Sequence, residues 1–99
     1  MKRQGKYWGL SNMYSVEYAG SAIKSLQKMD RHMAALIYGW IEKNLVGCIN
    51  PRAYGKALVG NKKGYWRYRV GSYRIIAVIN DNTVQIHIIG ISHRRDVYI

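Results

Sequence analysis

Arg67, Arg69 and Arg74 lie within a run rich in aromatic and β-branched residues, on either side of Gly71-Ser72. A two-residue loop with glycine first predicts a β-hairpin closed by a type II′ turn, because that position needs a positive φ. Side chains alternate along each strand, so this turn pairs Val70 with Tyr73 and Arg69 with Arg74. The three arginines then share one sheet face, and Trp66, Tyr68, Val70, Tyr73 and Ile75 share the other. Guanidinium groups so close repel one another unless an anion sits among them. A phosphate backbone suits them, since the guanidinium fork meets phosphate oxygens in pairs and stays charged. A merely solvated basic face is the alternative that this stretch alone leaves open. A second polar cluster, Ser92-His93-Arg94-Arg95-Asp96, closes the next apolar run. Its His93, with a reference pKa of about 6.5, is the residue suited to moving a proton.

The bulk of the chain favours the anionic partner. Sixteen basic residues face only Glu17, Asp30, Glu42, Asp81 and Asp96, a net charge of +11 on 99 residues. That imbalance points to nucleic acid, to an acidic protein, or to both. An anionic membrane surface fits poorly, because no segment joins a strongly basic face to a broad apolar one. Cys48 is the single cysteine, so no internal disulfide forms, and no Cys/His cluster has zinc-ligand spacing. A reducing cytoplasm is the expected compartment. The basic N-terminus lacks the apolar core of a signal peptide, and no run approaches membrane-spanning length.

The elements that must position the arginines follow from periodicity. Residues 1–12 form an irregular basic arm, and residues 13–99 form one domain with room for one modest core. Residues 14–18 alternate large and polar types, as a half-buried strand does. Ser21 is the expected N-cap of a short helix that turns Ile23 and Leu26 inward. Asp30 caps a second helix, with Met33, Leu36, Ile37, Trp40, Ile41 and Leu45 near one buried face. Gly39 within it implies close packing, and Gly47 ends it. Asn50-Pro51 turns into a loop over residues 52–64, which Ala57-Leu58 pins to the core and which carries Lys56, Lys62 and Lys63. After the hairpin, Asn80-Asp81-Asn82 turns the chain into a strand over residues 83–91. The expected class is α+β: one strand, then two helices packed on an antiparallel β-meander, with the arginine face left open.

With those elements in order, the chain resembles the RelE/ParE superfamily of bacterial toxins from type II toxin–antitoxin pairs. The resemblance rests on Asn50-Pro51-Arg52 and Gly55-Lys56-Ala57-Leu58, on the hairpin from Trp66 through Ile76, and on Ser92-His93-Arg94-Arg95-Asp96-Val97-Tyr98. It covers nearly everything after Asn12. It implies a RelE-type endoribonuclease that cuts mRNA in the ribosomal A site, or else a ParE-like inhibitor of DNA gyrase that cuts nothing. Matched motif to motif, Arg67, Arg69, Arg74, His93, Arg94 and Tyr98 stand at the positions of the catalytic cluster. Lys56 stands at a basic loop position that contacts ribosomal RNA, and Lys62, Lys63 and Arg95 extend that basic surface. Some RelE toxins have lysines where Arg67 and Arg69 stand here.

The implied partners are an acidic, RelB-like cognate antitoxin and the 70S ribosome with its mRNA and rRNA. A toxin–antitoxin hetero-oligomer that binds operator DNA is a further implication, and no membrane is involved. The chemistry would use no metal or other cofactor: the 2′-hydroxyl attacks the adjacent phosphorus, arginines stabilise the phosphorane oxygens, and an acid protonates the departing 5′-oxygen. Arginine serves the second need and not proton transfer, because its pKa lies above about 12. His93 is the expected general acid, and Tyr98 stacks on a base or orients a phosphate. No residue stands out as the general base.

Overall fold

The computed structural model describes residues 13–59 and 64–93. Residues 1–12, Lys62, Lys63, Arg94, Arg95 and Tyr98 lie outside the described residues. The order is β1 (Ser15–Tyr18), α1 (Gly20–Lys28), α2 (Arg31–Asn44), a 3-10 turn (Pro51–Tyr54), β2 (Lys56–Ala57), β3 (Trp66–Val70), β4 (Tyr73–Asn80) and β5 (Gln85–His93). The strands form one sheet in the order β1-β5-β4-β3-β2. All pairs are antiparallel except β1 with β5, whose connection passes through both helices and back across the sheet. The class is therefore α+β, two helices on a mostly antiparallel sheet. Among the described residues no helix is long and apolar enough to cross a membrane.

The helices cover one face of the sheet. Ala22, Ile37, Ile41 and Leu45 meet Tyr68, Ile75, Ala77, Ile86, Ile88 and Ile91 in a single core. Asp30 caps α2 as its position implies, its carboxylate accepting the Met33 amide at 3.2 Å. The buried stripe of α2 is narrower than its apolar spacing suggests. Ile37, Ile41 and Leu45 are fully buried, Met33 and Trp40 partly so, and Leu36 is exposed. Gly39 is not at a tight crossing either, since a Cβ there would meet nothing within 4 Å. In α1 Leu26 packs against the core as expected, beside the fully buried Ala22, but Ile23 faces out. Ala19, not Ser21, is the N-cap. Ser21 lies inside the first turn, and its hydroxyl donates to the Ile89 carbonyl at 2.6 Å.

Two corrections concern the strands. The segment from 52 to 64 is not all loop. Pro51 opens the 3-10 turn from the position its fixed φ favours, and Lys56 and Ala57 add a fifth strand opposite Arg67 and Trp66. The last strand starts at Gln85 and runs to His93, beyond the expected end at 91. Its pairing with β4 slips between Ile76, opposite Gly90, and Ala77, opposite Ile88. Ile89 is thus an extra residue, a β-bulge that reverses the in-out alternation of everything after it.

Candidate nucleic-acid interface

The hairpin has the register that its turn chemistry dictates: Val70 pairs with Tyr73, Arg69 with Arg74 and Arg67 with Ile76. Gly71 takes φ +59°, and Ser72 stays at negative φ, as a type II′ turn requires. Arg67, Arg69 and Arg74 accordingly lie on the face opposite the helices. Cross-strand pairing extends this face in rows. Lys56, Arg67, Ile76 and Gly90 form one row, and Arg69, Arg74 and Ser92 form the next.

The electrostatics of these rows are one-signed. Among the described residues no carboxylate pairs with Arg67, Arg69 or Arg74; the ion pair there is Arg52 with Asp81. Arg67 and Arg74 each keep a buried Nε with no hydrogen-bond partner. Partial burial, followed by repulsion from Arg69 and Arg74, pushes the Arg67 guanidinium pKa below its ordinary value. It remains a cation at any physiological pH, because arginine starts so high. The rows therefore hold uncompensated positive charge that a phosphate would relieve. Among the described residues no group of three or more His, Cys, Asp or Glu side chains gathers to hold a metal ion.

One buried anchor and one exposed ion pair hold this face in place. Tyr68, fully buried between Arg67 and Arg69 in sequence, points the other way and donates its hydroxyl to the Pro51 carbonyl at 2.8 Å. Its ring packs against Trp40 with centroids 5.7 Å apart, and burial pushes its phenol pKa well up. The 3-10 turn is thereby tied to the middle of β3. Gly55 permits the close approach that follows: a Cβ there would overlap the Arg67 carbonyl oxygen and come within 2.7 Å of Trp66 Nε1. Lys56 owes its place beside Arg67 to that glycine. On the other side of the turn, Arg52 makes two hydrogen bonds of 3.0 Å to Asp81. Tyr14 donates to the same carboxylate at 2.6 Å.

Not all of the expected cluster comes together. Lys56, Arg67, Arg69 and Arg74 share the open face. His93 pairs with Tyr73, so the bulge at Ile89 sends it to the helix side, where its ring meets Tyr73 edge-on at 5.2 Å. Counting alternation from His87 without the bulge would have put it with the arginines. Ser92 takes that position instead, opposite Arg74. Arg94, Arg95, Tyr98, Lys62 and Lys63 lie outside the described residues. His87 faces the open side next to Gln85, its Nε2 3.3 Å from Oε1. Cys48 is half-buried, and burial pushes its thiol pKa up, which suits a packing residue rather than a nucleophile.

One residue escaped the sequence reading. Tyr54, at the end of the 3-10 turn, lines a cavity of about 420 Å³ with Ala53, Gly55, Lys56, Arg67 and Arg69. The available signal is an aromatic two residues before a lysine in a glycine-punctuated stretch, which carries no positional information when that stretch is a loop.

Two helices on one side of a sheet and a basic open face on the other define a small toxin of the RelE/ParE type. Comparison with known proteins agrees. The family model of the ParE toxin of type II toxin–antitoxin systems, parDE, matches residues 16–98. The chain belongs to this family, within the RelE/ParE superfamily, and is a toxin of a type II toxin–antitoxin system. It is similar to Toxin RelE of Mycobacterium tuberculosis (strain ATCC 25618 / H37Rv), with 29% identity over 85 residues that cover 86% of each chain. Among solved structures it resembles a RelBE toxin–antitoxin complex from the same organism, at 26% identity and a TM-score of 0.76, covering 85% of this chain and 94% of that one. The isolated E. coli RelE toxin shares the fold at 17% identity and a TM-score of 0.64, with 81% and 83% covered.

Proposed function

We propose that this toxin is a cytoplasmic, ribosome-dependent endoribonuclease that cuts mRNA in the ribosomal A site without a metal. The observation that carries the reading is the row pattern of Lys56, Arg67, Arg69 and Arg74 on an open face with no carboxylate paired to the arginines. Arginines arranged this way hold a scissile phosphate and stabilise the added charge of a phosphorane. Removing one preorganised donor of that kind typically slows a reaction by about 10²–10³. Lys62, Lys63 and Arg95 would extend the RNA contacts, and Arg94 and Tyr98 would complete the site from the C-terminal side. The partner that silences the toxin is an acidic, RelB-like antitoxin covering this face or a groove beside it. The relatives whose structures are toxin–antitoxin complexes support that pairing. The resulting hetero-oligomer would bind operator DNA.

The proton for the departing 5′-oxygen is assigned to His93, the histidine of the polar cluster Ser92-His93-Arg94-Arg95-Asp96. Its pairing with Tyr73 makes this the part of the reading most exposed to test. Primer extension on a translated message should show discrete cuts within codons when the toxin is present. Arg74→Ala should weaken both ribosome binding and rate, since its charge acts on bound substrate and transition state alike. His93→Gln should keep ribosome binding and slow cleavage by about 10²–10⁴ if His93 gives the proton. An unchanged rate would leave it as the packing partner of Tyr73.

A second reading, non-catalytic inhibition of DNA gyrase, is favoured by one observation: the family model that matches is that of the ParE toxin. It predicts intact messages, toxicity that survives His93→Gln, and inhibited DNA supercoiling.

A further inference from the structure

The cavity beside the arginine rows combines two features that a phosphate seat alone does not need. One wall is cationic: Lys56, Arg67 and Arg69. The lining also includes Tyr54, an aromatic residue that is 47% exposed although another ring packs against it. Trp40 meets the Tyr54 ring edge-on, with centroids 6.2 Å apart, and is itself packed against the buried Tyr68. A large aromatic side chain braced by a neighbour, about half exposed and lining a cationic cavity offers a stacking surface whose ordering cost has been met by folding. The edge of the sheet opens at the same place. β2 ends opposite Arg67, so among the described residues Arg69 has no strand partner on that side of β3. The volume, about 420 Å³, falls in the range of small-molecule sites, roughly 300–1,000 Å³.

We propose that this cavity seats one nucleotide of a single-stranded RNA, its base stacked on Tyr54 and an adjacent phosphate held by Arg67 and Arg69. The inference rests on the reading of the open face as an RNA surface and adds a base-recognition position to it. A base has the flat apolar face that Tyr54 offers to match, and its phosphate has the charge that the arginines lack. An acidic peptide would use the cations and leave the ring without a purpose. Stacking selects for a base and not for its sequence, because every base presents a π-face. The site therefore contributes affinity and register along the strand.

A binding cycle with a fluorescently labelled single-stranded hexaribonucleotide, intact or with one abasic position placed in turn along it, tests this without any cleavage readout. Tyr54→Ala should weaken the intact strand by about 5- to 150-fold, the equivalent of roughly 1–3 kcal/mol of stacking. Tyr54→Leu, which keeps apolar bulk against Trp40 but offers no ring, should lose about as much, and Tyr54→Trp should retain binding. At one abasic position wild type and Tyr54→Ala should bind alike. Equal loss on intact strands and on every abasic strand would overturn the proposal, because Tyr54 would then act only through the fold. It would also be overturned by unchanged affinity in Tyr54→Leu, or by a wild-type chain blind to all abasic positions. If an acidic peptide loses as much affinity as the RNA in Tyr54→Leu, the cavity is a protein seat and the proposal fails. A positive cycle with uncut translated messages would instead overturn the nuclease reading and leave this site standing.

Discussion

At the scale of single residues, the open face depends on residues that carry no charge of their own. Gly55 is needed for space and not for its backbone angles, since a side chain there runs into β3. Gly55→Ala should cost about 1–3 kcal/mol, the usual penalty for overpacking, because the obstacle is a carbonyl that cannot rotate away. The same variant should weaken RNA binding by displacing Lys56 from Arg67, which chemical denaturation and an RNA titration would separate. Tyr68→Phe leaves the Pro51 carbonyl without its donor and should cost about 1–3 kcal/mol of stability. Full stability in Tyr68→Phe would show that the 3-10 turn is held by other contacts.

At the scale of elements, Asp81 fastens three separate pieces: the β4–β5 turn, the 3-10 turn through Arg52, and the approach to β1 through Tyr14. The Arg52 and Tyr14 hydrogen bonds hold the Asp81 carboxyl below its usual range. Its folded pKa is thus lower than its unfolded one, and between the two the unfolded chain binds more protons. The contribution is present above the unfolded value, about 3.9, and is lost as pH falls through the folded value. Thermal melts should therefore fall off below about pH 4, and Asp81→Asn should flatten that acid limb; an identical limb in the variant would refute the assignment. The alkaline side has the opposite sign. Burial pushes Tyr18 up to about 12, so its contribution is lost as pH rises from about 10 through that value.

At the scale of the whole molecule, a net charge of +11 makes association with any polyanion strongly dependent on salt. Affinity for single-stranded RNA should fall linearly on a log–log plot, by about 0.7 per phosphate neutralised. Arg69→Ala should flatten the slope by about that amount, and Lys62→Ala with Lys63→Ala by about twice it, with melting temperatures held. An unchanged slope in the double variant would move the RNA path away from that segment. Charge alone does not choose the face on which binding occurs. The helices make that choice by covering the apolar side of the sheet and leaving the rows of Lys56, Arg67, Arg69 and Arg74 on the uncovered side.

The sequence by itself determined the features whose causes lie within a few residues. The hairpin register and the shared arginine face follow from a two-residue glycine turn and strict alternation, and the Asp30 cap from one carboxylate and the amide three residues on. Tertiary structure decided what depends on distant partners. The bulge at Ile89, which parts His93 from the arginines, breaks a ladder, and the Ile89 carbonyl is met by Ser21 from sixty-eight positions away. The strand at Lys56 forms because Gly55 lets the chain lie against β3, and the Tyr54 ring is held up by Trp40 from another element. Alternation and turn chemistry act locally and can be read along the chain. A carbonyl freed by a bulge meets its donor only when the fold brings that donor to it.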